Sequence, residues 1–319
     1  MSAAGHGVVV GVDIGGTKVL AGVVGPDGRV GATARRTTPG RRVLTRQVED
    51  ALVAAVLEAS ADRPLAAVGV AAAGFVDSAG ERVMFAPHLP WQGEPLRALL
   101  EERLGCPVAL DNDANCAARA EAHHGVARGA SSALMVTMGT GIGGALLLDG
   151  RVLRGANGMA GEFGHMQVVP DGRACECGRQ GCWEQYSSGN ALVRDARALM
   201  AEQPSVLAEM AGGPDGVTGP MVSAAAEQGD LVARRAFASV GDWLGVGAAN
   251  LVAALDPQLV VIGGGVSAAG DRLLEPARAA LRRSLVGGAH RRVPDLVAGS
   301  LGPESGMVGA ALLAAQALR

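Results

Sequence analysis

Three stretches gather side chains able to do chemistry. The first is CECGRQGCWE, residues 175–184, where Cys175, Cys177 and Cys182 offer three soft ligands in one short run. A closed zinc site takes four ligands. The nearest further donor is His165, in GEFGH at 161–165. Cys₃His is a standard closed set, and Gly178 and Gly181 permit the tight loop it needs. The spacing is C-x-C, unlike the C-x-x-C of redox pairs; a cysteine-rich loop without metal is the alternative. Glu162 and Glu184 flank these ligands. Folding the two segments onto a metal would bring both acids into one pocket, where carboxylates suit sugar hydroxyls as hydrogen-bond acceptors. Taken singly, each reads as a solvated surface acid.

The second stretch is DNDAN, 111–115. PVAL before it reads as a short buried strand, so Asp113 falls at or just past a strand's carboxyl end, where α/β proteins place ligands. A carboxylate there can take the proton of a hydroxyl that attacks phosphorus, and Asn112 can bond a neighbouring hydroxyl. Either residue can equally N-cap the helix that follows.

The third feature is a set of glycine turns. In DIGGTK, residues Gly15, Gly16 and Thr17 form a turn suited to phosphate, because successive backbone N–H groups without a Cβ make an anion nest. Lys18 adds a cation, and Asp13 can hold hydrated Mg²⁺. GTGIGG repeats the design at Gly139, Thr140 and Gly141, and Gly263, Gly264 and Gly265 follow the run LVVI. Residues 11–18 do not make a Walker motif, since Thr17 precedes Lys18 and a strand follows. Residues 139–144 fit G-x-G-x-x-G but lead into ALLL, a strand, where a dinucleotide fingerprint opens a helix.

The elements that must position these residues read as α/β, with short aliphatic runs alternating with helical periods. Strands are expected at 7–14, 19–24, 66–72, 107–111, 133–138, 143–148 and 258–262. Helices are expected at 43–59, 95–104, 114–124, 190–203, 219–228, 230–255, near 271–284 and 304–318. The Gly- and Pro-rich stretch 205–218 reads as a surface loop, and the basic run Arg35, Arg36, Arg41, Arg42, Arg46 as a solvated loop leading into a helix. VVVGVDIGGTKVLAGVV and SALMVTMGTGIGGALLL share one strand–glycine turn–strand design, which suggests two similar halves.

With 319 residues, 49% hydrophobic, the chain has ample material for a large core, and its length suggests about two domains. Aromatics are scarce at 3%, so the core must rest on aliphatic packing and close backbone approach. A net charge of −3 supplies no field for nucleic acid. No signal peptide and no uninterrupted membrane-length apolar run is read, so a cytoplasmic location is expected. Five cysteines is an odd number, and in a reducing compartment a cluster points to metal. Cys106 and Cys116 read as small buried hydrophobes.

Taken together, GVDIGGTK, AAAGFVD, FAP, LPW, DNDAN, MGTGIGG, GEFGH, CECGRQGCWEQYSSG and VVIGGGVS resemble the ROK family of sugar kinases, and within it the actinobacterial glucokinases. The resemblance runs along essentially the whole chain. It implies an actin-like ATPase (ribonuclease H-like) fold with two lobes around a central cleft. The smaller lobe would comprise 1–116 plus 303–319, and the larger one, with the zinc loop, 117–302. It implies ATP-dependent phosphorylation of the 6-hydroxyl of glucose, with Asp113 as base. Gly74, Asn112, Glu162, His165 and Glu184 would meet the sugar. Asp13, Lys18 and the turns 15–17 and 139–141 would hold ATP and Mg²⁺, and 263–265 would border the adenosine. Structural Zn²⁺ would sit on His165, Cys175, Cys177 and Cys182. Homodimers or homotetramers are implied, with no nucleic-acid or membrane partner. The rivals are a kinase for another hexose or N-acetylhexosamine and a non-catalytic sugar-binding regulator. Repressors of the family carry an N-terminal helix-turn-helix, for which no room is read before DIGGTK. His88 stands where glucokinases of the family often carry Asn.

Overall fold

The computed structural model describes residues 7–318, and contacts divide the chain into two compact units. The first takes the chain up to Ser131, Ala145–Gly161 and the part from Pro303 onward. The second takes Ser132–Gly144 and Glu162–Gly302. This division differs from the expected one. A boundary after residue 116 would cut through a helix that packs against the C-terminal helix, and residues 145–161 also join the first unit.

Along the chain come β1 (Val8–Ile14), β2 (Lys18–Val24), β3 (Val30–Thr37), α1 (Thr45–Ser60) and β4 (Leu65–Ala72). A small hairpin of β5 (Phe75–Val76) and β6 (Val83–Phe85) precedes α2 (Leu96–Leu104), β7 (Val108–Asn112) and α3 (Asp113–His124). Then follow β8 (Ser132–Met138), β9 (Ile142–Leu148), β10 (Arg151–Leu153), α4 (Gly189–Met200), α5 (Leu207–Ala211), α6 (Gly219–Glu227) and α7 (Leu231–Leu255). The last elements are β11 (Leu259–Gly263), α8 (Asp271–Ser284), β12 (Asp295–Ala298) and α9 (Ser305–Ala317).

The internal repeat is real. One five-stranded sheet has the order β3-β2-β1-β4-β7 and the other β10-β9-β8-β11-β12. Each has a three-strand run at one side, then two strands parallel to the first strand of that run. Both glycine turns therefore occupy the same topological place, between the first and second strands of their sheets.

The scarcity of aromatics is answered by backbone contact. Helix α9 lies on β1 and β4 so closely that a Cβ on Gly11 would stand 2.0 Å from the Met307 carbonyl oxygen, and one on Gly69 1.8 Å from that of Ala310. Among the described residues, α7 is the one helix long and apolar enough to cross a membrane by length and composition. It is instead a packed helix, laid along α8 and α4.

Two expectations are corrected. Arg35 and Arg36 lie in β3, a strand at the edge of its sheet in which only Ala34 is buried. An edge strand with one inward residue carries no alternation strong enough to read. The stretch 205–218 contains α5 and a 3₁₀ turn at Pro214–Gly216, with Leu207 fully buried. Cys106 and Cys116 are buried, as expected.

Candidate functional site

In the first unit, β7 delivers the chain to α3 at Asn112. Asn112 has extended backbone and acts as the helix N-cap. Its Oδ1 accepts from the N–H groups of Ala114 (2.9 Å) and Asn115 (3.2 Å), and its Nδ2 donates to the Gly74 carbonyl at 3.1 Å. Both readings of DNDAN thus meet in adjacent residues: Asn112 caps, and Asp113 is left as the first helical residue, half-buried, at the strand's end. A carboxylate there faces the positive end of the helix dipole. Burial raises the Asp113 pKa, and the N–H of Ala114 and the Asn112 side chain work against that rise.

Asp13 lies in β1 near enough to Asp113 to feel its charge. Burial first, and Asp113 second, push Asp13 up to about 7, while Lys18 pulls it down. Two carboxyls sharing an enclosed place, with one lysine, suit a divalent cation and its bound phosphates. The adjoining turn is closed by the Gly15 N–H on the Lys18 carbonyl (3.0 Å), and the Thr38 hydroxyl donates to the Gly15 carbonyl (2.7 Å). A Cβ at Gly16 would stand 2.5 Å from Cβ of His88, so His88 packs directly on this turn.

In the second unit, the turn between β8 and β9 is fixed from two sides. The amides of Gly189 and Asn190, at the start of α4, donate to the carbonyls of Gly139 (2.8 Å) and Thr140 (3.3 Å). Glu184 approaches Gly141 so closely that a Cβ there would lie 2.2 Å from Oε2, the oxygen that accepts the Ile142 N–H at 3.4 Å. Of the triple glycine, Gly264 has φ +81° and its Cβ would meet the Met138 backbone at 2.4 Å. Gly264 is thus required by packing at the end of β8, and Gly265 is the open member.

GEFGH forms a 3₁₀ turn, Phe163–His165, with the His165 N–H on the Glu162 carbonyl. His165 and the three cysteines converge, their ligand atoms all within 4.8 Å of one another. Cys177 and Cys182 sulfurs are 3.6 Å apart, and Cys175 Sγ lies 3.7 Å from His165 Nδ1. A tetrahedral zinc with Zn–S near 2.3 Å has edges of about 3.8 Å, so the donor set fits that ion. Burial holds the Cys175 thiol well above its ordinary pKa, and a bound cation is what would deprotonate it. Glu184 Oε1 accepts from Cys175 Sγ at 3.2 Å and stands 3.6 Å from His165 Nδ1. The loop is anchored behind by Trp183, fully buried, whose Nε1 donates to the Trp243 carbonyl (2.7 Å), and by the Ser187 hydroxyl on that of Val240 (2.9 Å).

Sequence reasoning missed Asp111 and its two arginines. Arg119 and Arg154 both pair with this enclosed carboxylate. An acid directly after a run as apolar as PVAL signals a buried partner, and Arg119 lies on the next helix. Arg154, 43 residues on, carries no local signal.

The ROK family model matches residues 9–317. A glucokinase of Streptomyces coelicolor is 43% identical over 312 residues, covering 97% of this chain and 98% of that one. An N-acetyl-D-glucosamine kinase of Escherichia coli is 35% identical over 322 residues, covering 95% and 98%. Among solved structures, a ROK family glucokinase from Streptomyces griseus in complex with glucose and AMPPNP matches with a TM-score of 0.91 at 44% identity, covering 97% of this chain and 100% of that chain.

Proposed function

The chain belongs to the ROK family, and on that premise we propose that it is an ATP-dependent glucokinase, moving the γ-phosphoryl group of ATP to the 6-hydroxyl of D-glucose. The observation that carries this reading is the near full-length match, in sequence and in fold, to a glucokinase solved with glucose and an ATP analogue.

Phosphoryl transfer needs positioning and charge neutralisation more than covalent help. Asp113 takes the proton of the 6-hydroxyl; its raised pKa makes it a better acceptor than an ordinary carboxylate. Asp13, Lys18 and the turns at 15–17 and 139–141 receive the phosphates. Mg²⁺, when bound near Asp13, offsets their charge. Glu162, His165 and Glu184 read the sugar hydroxyls, and Gly265 borders the adenosine. Asn112 uses its side chain mainly to cap α3 and hold Gly74, which leaves one amide N–H for the sugar. Zinc on His165, Cys175, Cys177 and Cys182 is structural. Because Nδ1 of His165 faces the cysteines, it is the ring nitrogen that would hold such an ion, and Nε2 would remain for the sugar. The homo-oligomeric state implied by the resemblance belongs to this reading, and sedimentation velocity tests it.

The deciding experiment is ADP release across a sugar panel, with ATP and with polyphosphate as donors. Glucose with ATP should give the highest kcat/KM. Preference for N-acetylglucosamine, which the Escherichia coli relative favours as a second reading, would replace the substrate and keep the chemistry. Glucose binding without ADP release would replace the enzyme with a sugar-binding regulator.

A further inference from the structure

Arg154 lies just past β10, in the segment Ala145–Gly161, which packs with the first unit although the chain on either side belongs to the second. Its guanidinium makes three contacts. Nε donates to Asp111 Oδ1 at 3.2 Å, Nη1 to the Ser78 carbonyl at 2.6 Å and Nη2 to the Asp77 carbonyl at 2.9 Å. The same segment is seated again at Gly158, where a Cβ would lie 2.3 Å from the Val76 carbonyl oxygen.

Asp111 is 1% exposed. Its Oδ2 accepts from Arg119, and its Oδ1 accepts the N–H of Asn112 (2.9 Å) and the side-chain amide of Asn115 (3.0 Å). Placing a carboxylate here is costly unless every lone pair is met. With these partners it is met; the two Nη atoms of the planar fork tie Arg154 to the Ser78 and Asp77 carbonyls and so aim its Nε at Asp111, as a point charge could not. The groups Asp111 orients are those that set the start of α3: the backbone of Asn112, whose side chain is the cap, and Asn115 in the first turn. Asp113 lies between them.

We propose that Arg154, acting through Asp111, is a positioning residue for Asp113. It holds the junction of β7 and α3 so that the carboxylate of Asp113 keeps the direction in which it accepts the hydroxyl proton. This rests on the reading of Asp113 as general base. Displacing a reacting group by about 1 Å can cost on the order of 100-fold in rate.

The test is a double-mutant cycle in glucose phosphorylation. Arg154→Ala should lower kcat about 10- to 100-fold while the KM values for glucose and ATP stay within about twofold of wild type. Arg154→Lys, which keeps a charge beside Asp111 but lacks the fork, should recover only part of the loss. In the Asp113→Asn background, assayed at high enzyme concentration, Arg154→Ala or Arg154→Lys should cause little further loss, because the group being positioned is already disabled. Equal losses in both backgrounds, unchanged kcat, or a loss confined to KM would overturn the proposal. Should Arg154→Ala fail to fold, Arg154→Lys carries the same cycle. If wild type phosphorylates no glucose, it is the underlying reading that fails.

Discussion

Asp113 and Glu184 are acids held by opposite means. Asp113 stands where a strand becomes a helix, and its neighbours are regular structure: the cap of Asn112, the amide of Ala114, and Asp111 with its arginines. Glu184 stands in a 3₁₀ turn, Trp183–Gln185, beside a cysteine thiol and a histidine. The first acid is placed by backbone hydrogen bonding, which survives loss of its own side-chain chemistry. The second is placed by the cysteine–histidine cluster and by one glycine. Disturbing either acid should therefore produce different kinds of damage, kcat in one case and KM in the other.

The largest expected effect is at Asp113. Asp113→Asn keeps an oxygen that can accept from Ala114, so the helix start should stand and the melting temperature should change little. Turnover should fall 10²- to 10⁴-fold, the usual worth of a general base, with glucose affinity nearly unchanged. Retention of more than about a tenth of kcat would end the assignment of Asp113 as base.

Next comes the loop proposed to hold zinc. Cys177→Ala, or chelation, should remove the metal, measured directly by elemental analysis. Glucose KM should rise about 10- to 100-fold, as when supports of a metal site are lost, or the second unit should melt earlier. Trp183 and Trp243, hydrogen-bonded behind the loop, give a fluorescence signal of that loosening. If zinc departs and both sugar kinetics and stability are untouched, Glu184 is held by its Ile142, Cys175 and His165 contacts without a metal, and the contrast with Asp113 collapses.

A smaller effect concerns stability at the first acid pair. Asp13 is raised to about 7, by burial and then by Asp113. The folded state therefore holds a proton that the unfolded chain has released above pH about 4. Stability is lost as pH rises from there through about 7, the reverse of a salt-bridged carboxylate. Without magnesium, Asp13→Asn should raise the melting temperature at about pH 8 and have little effect at about pH 4. Added Mg²⁺ should narrow the difference at about pH 8 by stabilising wild type alone. An equal gain at both pH values would mean that Asp13 is not the strained carboxylate.

The same contrast decides what was legible in the sequence. DNDAN after PVAL, DIGGTK and its repeat were readable because their geometry comes from local structure: strand, cap and turn within a few residues. The Cys₃His convergence was readable for a different reason, since metal ligands advertise themselves by residue type. Arg154 was not readable. In sequence it is one arginine in RVLRGANG, and its partners lie at 77, 78 and 111, supplied only by the fold. The ends of the two units were misjudged likewise, because the membership of residues 145–161 depends on tertiary packing such as that of Gly158. β3 was hidden by having one inward residue.

The smallest expected effect is the most discriminating about Glu184. Gly141 belongs to a turn proposed for phosphate, yet the nearest atom to a Cβ there is the Glu184 carboxylate, at 2.2 Å. That atom ends a flexible side chain, so Gly141→Ala should fold, with an overpacking cost of about 1–3 kcal/mol at most. The carboxylate must then shift and lose its bond to the Ile142 N–H. If the glycine exists to admit Glu184, the substitution should raise glucose KM several-fold and leave ATP KM near wild type. If it exists to let phosphate approach the backbone, ATP KM should rise instead. Glu184→Gln combined with Gly141→Ala separates the two readings. An amide at 184 should already have weakened the sugar, so the alanine should add little to glucose KM in the first case and its full effect on ATP KM in the second.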